Sequence, residues 1–141
     1  MAHRIFVFGT LKQGFCNFHI NRGTRVGGDF VTVRAHPLYV IGPRHLPWLL
    51  QQPGVGHSVV GQLFEVDNIM LADMDILERI TEPLWYRREA IAVRPREGGE
   101  AIEAWVYFGS PERMAVETVH TDPLPEYTAE VAAAYPLGLL S

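Results

Sequence analysis

The residue pattern predicts an α+β domain built on a curled or barrel-like sheet. Three observations carry this expectation. Short β-branched and aromatic runs recur along the chain, and only one long stretch keeps a helical period. The strands do not alternate regularly with helices, as a doubly wound parallel sheet would require. The 141 residues fit one domain spanning 1–141, with residues 109–141 read as a tail packing on it. That length is enough to bury a core without disulfide or metal staples.

Taken in order, Ile5 to Phe8 reads as a buried strand stopped by Gly9, and Thr10 to Gly14 continues as a loop. Phe30 to Arg34 and Pro37 to Gly42 read as two further strands. Pro43, Pro47 and Pro53 lie between positions 43 and 56, so this stretch is expected to be a shaped loop. Val59 to Val66 has strong β character. Asp67 is a good N-cap for a helix over Asn68 to Ile80. Tyr86 to Val93 and Ala101 to Phe108 flank Gly98-Gly99 and read as a hairpin. Beyond them, Pro111, Pro123, Pro125 and Pro136 break the chain, leaving one short helix over Glu126 to Ala134.

Composition removes several kinds of chemistry. Twelve Lys and Arg against sixteen Asp and Glu give a net charge of −4, which argues against a nucleic-acid partner. Cys16 is the single cysteine, so a disulfide framework and a Cys-cluster zinc site are excluded. The six His residues are scattered, with no H-E-x-x-H pair, so no metal is expected. No G-x-S-x-G elbow occurs, and Gly9 to Gly14 fails the phosphate-loop pattern because Phe15 and Cys16 follow. No apolar run approaches the roughly 20 residues that span a bilayer, so a cytoplasmic setting without a membrane partner is expected.

Two features offer chemistry. On the helix, Leu71, Met74 and Glu78 fall in one narrow sector, which places Glu78 at the edge of an apolar face near the C-terminal end. Desolvation and the negative helix end would both raise its pKa, as a general acid/base near neutral pH requires. The bland alternative is a surface ion pair with Arg79, Arg87 or Arg88. At the first turn, Gly9 to Leu11 could expose successive backbone N–H groups to a carboxylate, or Gly9 could simply permit the turn. Trp48, Trp85 and Tyr86 allow a weaker idea, an aromatic contact patch.

The ordered motifs resemble the γ-glutamylcyclotransferase-like (AIG2-like) superfamily. Phe8-Gly9-Thr10-Leu11-Lys12, followed by Gly14 and Asn17, resembles its Y-G-T-L-(K/R)-x-G-x-x-N signature. Leu46-Pro47-Trp48-Leu49-Leu50 is similar to the γ-glutamylamine cyclotransferase branch. Gly61 to Val66 resembles its G-E-V-Y-x-V strand, Asp75-x-x-Glu78 its D-x-x-E helix, and Tyr86-x-Arg88 its Y-x-R. The match covers roughly residues 5–108 and diverges in the tail. One departure matters: the signature Tyr is Phe8, so its hydroxyl is missing.

The resemblance implies a mixed β-barrel with flanking helices and a cavity. It implies that Phe8, Gly9, Thr10, Leu11 and Tyr107 line a substrate site and that Glu78 is the catalytic acid/base. The expected reaction converts an L-γ-glutamyl amine to 5-oxoproline and free amine by attack of the substrate's own α-amine, without a cofactor. A small-molecule γ-glutamyl substrate is the expected partner, and a homo-oligomer is compatible with this reading. The rival is a non-catalytic protein of the same fold that binds a small acid.

Overall fold

The computed structural model describes residues 2–133. Five strands form a ring in the order β1 (His3–Val7), β5 (Val60–Val66), β2 (Thr24–Thr32), β6 (Tyr86–Pro95) and β7 (Ile102–Gly109). Four of the pairings are antiparallel, and a parallel contact at Ile5 and Trp105 joins β7 to β1. β3 (Leu38–Ile41) and β4 (Leu46–Leu49) make a separate two-stranded sheet. The helices are α1 (Asn68–Leu77), α2 (Pro111–Val116) and α3 (Ala129–Ala132). The expected mixed, ring-like sheet with one main helix is therefore present.

Period-two alternation sends the strands' side chains into two cores. Phe6, Leu63, Val106 and Phe108 belong to one, which also takes the fully buried Tyr127 of the tail. Ile5, Val7, Phe64 and Tyr107 belong to the other, where they meet Leu71 and Met74 of α1. Close approach requires glycine at several positions, most tightly at Gly61 and Gly109. A Cβ on Gly61 would stand 2.5 Å from the Val7 carbonyl oxygen, and one on Gly109 would stand 2.4 Å from the Trp48 ring.

Several boundaries differ from the sequence expectation for identifiable reasons. Residues 43–56 are not all loop, because β4 forms with Pro47 opposite Val40. β4 pairs with β3 alone, and the missing proline N–H falls at its other edge, where it costs no ladder bond. Pro111 does not break the tail but opens α2 at its first turn, behind the Ser110 cap. β2 begins at Thr24, since Gly27 and Gly28 occupy a bulge between Val26 and Asp29 that hides the alternation. The helix expected over Glu126 to Ala134 is the four-residue α3, capped by Thr128. Ala134 and Pro136 lie outside the described residues.

Helix α1 stops at Leu77 rather than Ile80. Asp67 caps its start by accepting from Met70 N–H. At its end, Arg79 N–H donates to the Ile76 carbonyl (3.2 Å) and Ile80 N–H to the Asp75 carbonyl (3.3 Å). Those two bonds are a Schellman closure, with Arg79 at φ 54° where glycine is usual. Glu78 is the C-cap of this closure.

The tail runs back over the ring. Leu38 and Val40 carbonyls accept from Leu124 and His120 N–H, and the Pro125 carbonyl accepts from Val60 N–H. Its last buried anchor among the described residues, Tyr127, accepts from Lys12 Nζ at 2.6 Å through its carbonyl. The single lysine therefore ties the first turn to the tail, and burial pushes its pKa down.

Candidate active site

The turn after β1 is held by its own signature residues. Lys12 N–H closes it onto the Gly9 carbonyl (3.1 Å). Asn17 grips Thr10 twice, through N–H to the carbonyl (3.0 Å) and Nδ2 to the hydroxyl (2.9 Å). Asn21 Nδ2 donates to the Leu11 carbonyl. The N–H groups of Gly9, Thr10 and Leu11 donate to no acceptor among the described residues. Gly9 itself does not use the left-handed region; a Cβ there would lie 2.7 Å from Pro47 Cγ. Its smallness lets β4 pack against the turn.

A small cavity of about 30 Å³ lies beside this turn. Phe8, Gly9, Thr10 and Leu11 line it together with Glu78 and Tyr107. All six residues singled out in the sequence thus meet at one place. Phe6, Val7, Pro47 and Tyr86 complete the wall, with the Tyr86 hydroxyl donating to the Pro47 carbonyl at 2.6 Å. Thr10, Pro47, Glu78 and Tyr86 also line an adjoining groove of about 560 Å³, so Glu78 sits at the boundary of the two spaces.

Glu78 is half-buried as a residue, and desolvation pushes its pKa up to about 8. Among the described residues no side chain pairs with its carboxyl. The three candidate arginines are otherwise engaged. Arg79 approaches Glu82 at 3.8 Å, Arg87 bonds Glu89 at 2.6 Å, and Arg88 bonds Asp75 at 2.9 Å. The ion-pair alternative for Glu78 is therefore not realised.

One turn earlier on α1, Asp75 is fully committed. Arg88 reaches both of its oxygens, Nε to Oδ1 at 2.9 Å and Nη2 to Oδ2 at 3.2 Å. The Tyr107 hydroxyl donates to Oδ1 at 2.7 Å. Burial first, then the hydrogen bond and charge of Asp75, and then the charge of Glu78 push the Tyr107 pKa far up. This phenol stays protonated, so it is not a base.

Trp48 and Tyr86 are buried, with rings 4.5 Å apart, and Trp85 is half-buried beside Trp48. Tyr86 and Trp85 line the groove and Trp48 lies in the core behind them, so the three make no exposed contact patch. The lone Cys16 is half-buried and its pKa is raised by burial, which leaves it a poor nucleophile. No helix among the described residues is long and apolar enough to cross a membrane.

The family model for gamma-glutamyl cyclotransferase, AIG2-like, matches residues 5–128. The chain belongs to that family. The AIG2-like chain is 39% identical over 118 residues to a gamma-glutamylaminecyclotransferase of Rattus norvegicus, covering 76% of this chain and 77% of the relative. Against the gamma-glutamylaminecyclotransferase of Homo sapiens it is 35% identical over 118 residues, covering 73% and 76%. A crystal structure of an AIG2-like protein from Mus musculus superimposes with TM-score 0.74 at 34% identity, covering 92% and 90% of the two chains.

In this AIG2-like chain, Asp75 and Arg88 are site residues that the sequence does not single out, although they belong to the motifs Asp75-x-x-Glu78 and Tyr86-x-Arg88. The signal was present, but nothing local says that they face each other.

Proposed function

We propose that the chain is a γ-glutamylamine cyclotransferase that releases 5-oxoproline and a free amine from an L-γ-glutamyl amine. The observation that carries this reading is a desolvated Glu78 carboxyl at the rim of a cavity lined also by the Gly9, Thr10 and Leu11 turn, where neither that carboxyl nor the three turn N–H groups has a partner among the described residues. Those donors suit the substrate's α-carboxylate, and no positive side chain is needed. Family membership and the names of the relatives support the same chemistry.

In the proposed sequence, the Glu78 carboxylate takes a proton from the substrate's α-ammonium. The freed amine lone pair attacks the γ-carbonyl carbon, forming the ring C–N bond. The bond to the leaving nitrogen then breaks as the Glu78 carboxylic acid returns its proton to that nitrogen, and the extra proton on the ring nitrogen passes to the released amine, which departs as an ammonium ion. The attack is intramolecular, and well-oriented cases reach effective molarities of roughly 10⁵–10⁸ M. No enzyme nucleophile is consumed, which matches a chain with an inert thiol. The adjoining groove, which shares Glu78, would hold the leaving amine.

A pKa of about 8 fits a group that must both accept and return a proton near neutrality. The reading is tested by measuring 5-oxoproline release from a panel of γ-glutamyl amines, γ-glutamyl dipeptides and glutathione. Release from amines above the others is expected, with kcat/KM rising as pH approaches 8 and Glu78 ionises. Binding without release from every member would support the small-acid-binding rival instead.

A further inference from the structure

Asp75 and Arg88 do not line the cavity, yet their arrangement dictates what Tyr107 can do there. A phenol has one proton to donate and lone pairs with which to accept. That proton is taken by Asp75 Oδ1 at 2.7 Å. Asp75 is gripped on both oxygens by Arg88, and the two side chains are only 17% and 23% exposed. Arg88 is fixed in turn by Trp105, whose ring centroid lies 4.5 Å from its guanidinium carbon. With its proton engaged, the Tyr107 oxygen presents only acceptor capacity to the cavity.

We propose that Asp75, locked by Arg88, is a positioning residue that makes Tyr107 an acceptor, so that Tyr107 receives the substrate's α-ammonium and not its α-carboxylate. This rests on the γ-glutamyl reading above. An ammonium offers three N–H donors, and an acceptor suits it, whereas a carboxylate offers none and would be repelled. Tyr107 takes one N–H while Glu78 removes another proton, leaving the nitrogen lone pair to attack. The turn N–H groups remain for the α-carboxylate. The two ends of the amino-acid head are thereby sorted to opposite walls.

The experiment uses two truncated probes of the γ-glutamyl head, each titrated by calorimetry into the full chain. 4-Aminobutanamide keeps the amine and lacks the α-carboxylate; glutaramate keeps the carboxylate and lacks the amine. Tyr107→Phe and Asp75→Asn, both close in shape to the native residues, are expected to weaken 4-aminobutanamide about tenfold or more. That is the loss of one hydrogen bond to a charged group. Glutaramate binding is expected to stay within about twofold. The double variant should be no weaker for 4-aminobutanamide than either single variant, because Asp75 acts only through Tyr107.

Equal weakening of both probes, additive losses in the double variant, unchanged binding in Tyr107→Phe, or no wild-type binding of 4-aminobutanamide would each overturn the proposal. Wild-type 5-oxoproline release, assayed alongside, separates the two ideas. Its absence sinks the reaction while the probe titrations still judge the sorting.

Discussion

Tyr107 and Phe108 are neighbours on β7, yet they enter opposite faces of one sheet. Phe108 joins Phe6, Leu63 and Val106, where packing is the main requirement. Tyr107 enters the layer between sheet and α1, beside Ile5, Val7, Leu71 and Met74, and there an ionic network interrupts the apolar contacts. Both cores exclude water, so they price charge alike. They differ in what the charges find. Asp75 finds Arg88 and Tyr107, whereas Glu78, at the C-cap of α1, finds no partner among the described residues. A low-dielectric layer with one neutralised and one unneutralised carboxyl produces a fixed scaffold beside a proton carrier.

The sharpest way to break this contrast is to remove the unneutralised carboxyl. Glu78→Gln is expected to lower kcat by about 10²–10⁴-fold, the usual span for a positioned acid/base, while circular dichroism stays native. Undiminished turnover would dissolve the difference between the two carboxyls. Next in size is a cut into the other core. Leu63 is fully buried there, so Leu63→Ala is expected to cost about 2–5 kcal/mol in urea unfolding. A cost under 1 kcal/mol would mean that this face is not close-packed.

A smaller and oppositely signed effect concerns stability. The unfolded chain releases the Glu78 proton near its ordinary 4.5, but the folded chain keeps it up to about pH 8. The folded state therefore binds more protons in that window, and wild-type stability falls as pH rises through it. Gln carries no such proton. Glu78→Gln should match wild type near pH 4 and gain on the order of a few kcal/mol by pH 9 in denaturant titrations. A pH-independent difference would show that the carboxyl is not desolvated.

The smallest effect is expected at Phe8→Tyr. Phe8 lines the cavity, but the turn offers its contacts through backbone N–H groups that neither residue alters. Turnover should stay within about threefold of wild type in the 5-oxoproline assay. A larger gain would assign the absent hydroxyl a direct part in binding.

Much of this was legible in the sequence, and the parts that were not share a cause. Asp67 announces α1, Gly98-Gly99 announces the β6–β7 hairpin, and the Phe8 to Asn17 spacing announces a turn closed by the short-range bonds of Lys12 to Gly9 and Asn17 to Thr10. β4 was hidden because proline argues against strands in general, though not at a free edge. The end of α1 was hidden because Arg79 stands where glycine would have signalled a stop.

By itself, then, the chain's sequence determined the order of the ring strands and the main helix, the candidacy of Glu78 and the turn beside it. Those depend on propensities and hydrogen bonds between residues a few positions apart. Only the tertiary structure decided which carboxyl is neutralised. Asp75 meets Arg88 and Tyr107 from 13 and 32 residues away, and Lys12 reaches Tyr127 across 115. A pKa answers to whatever surrounds a group in space, and no local spacing records that company.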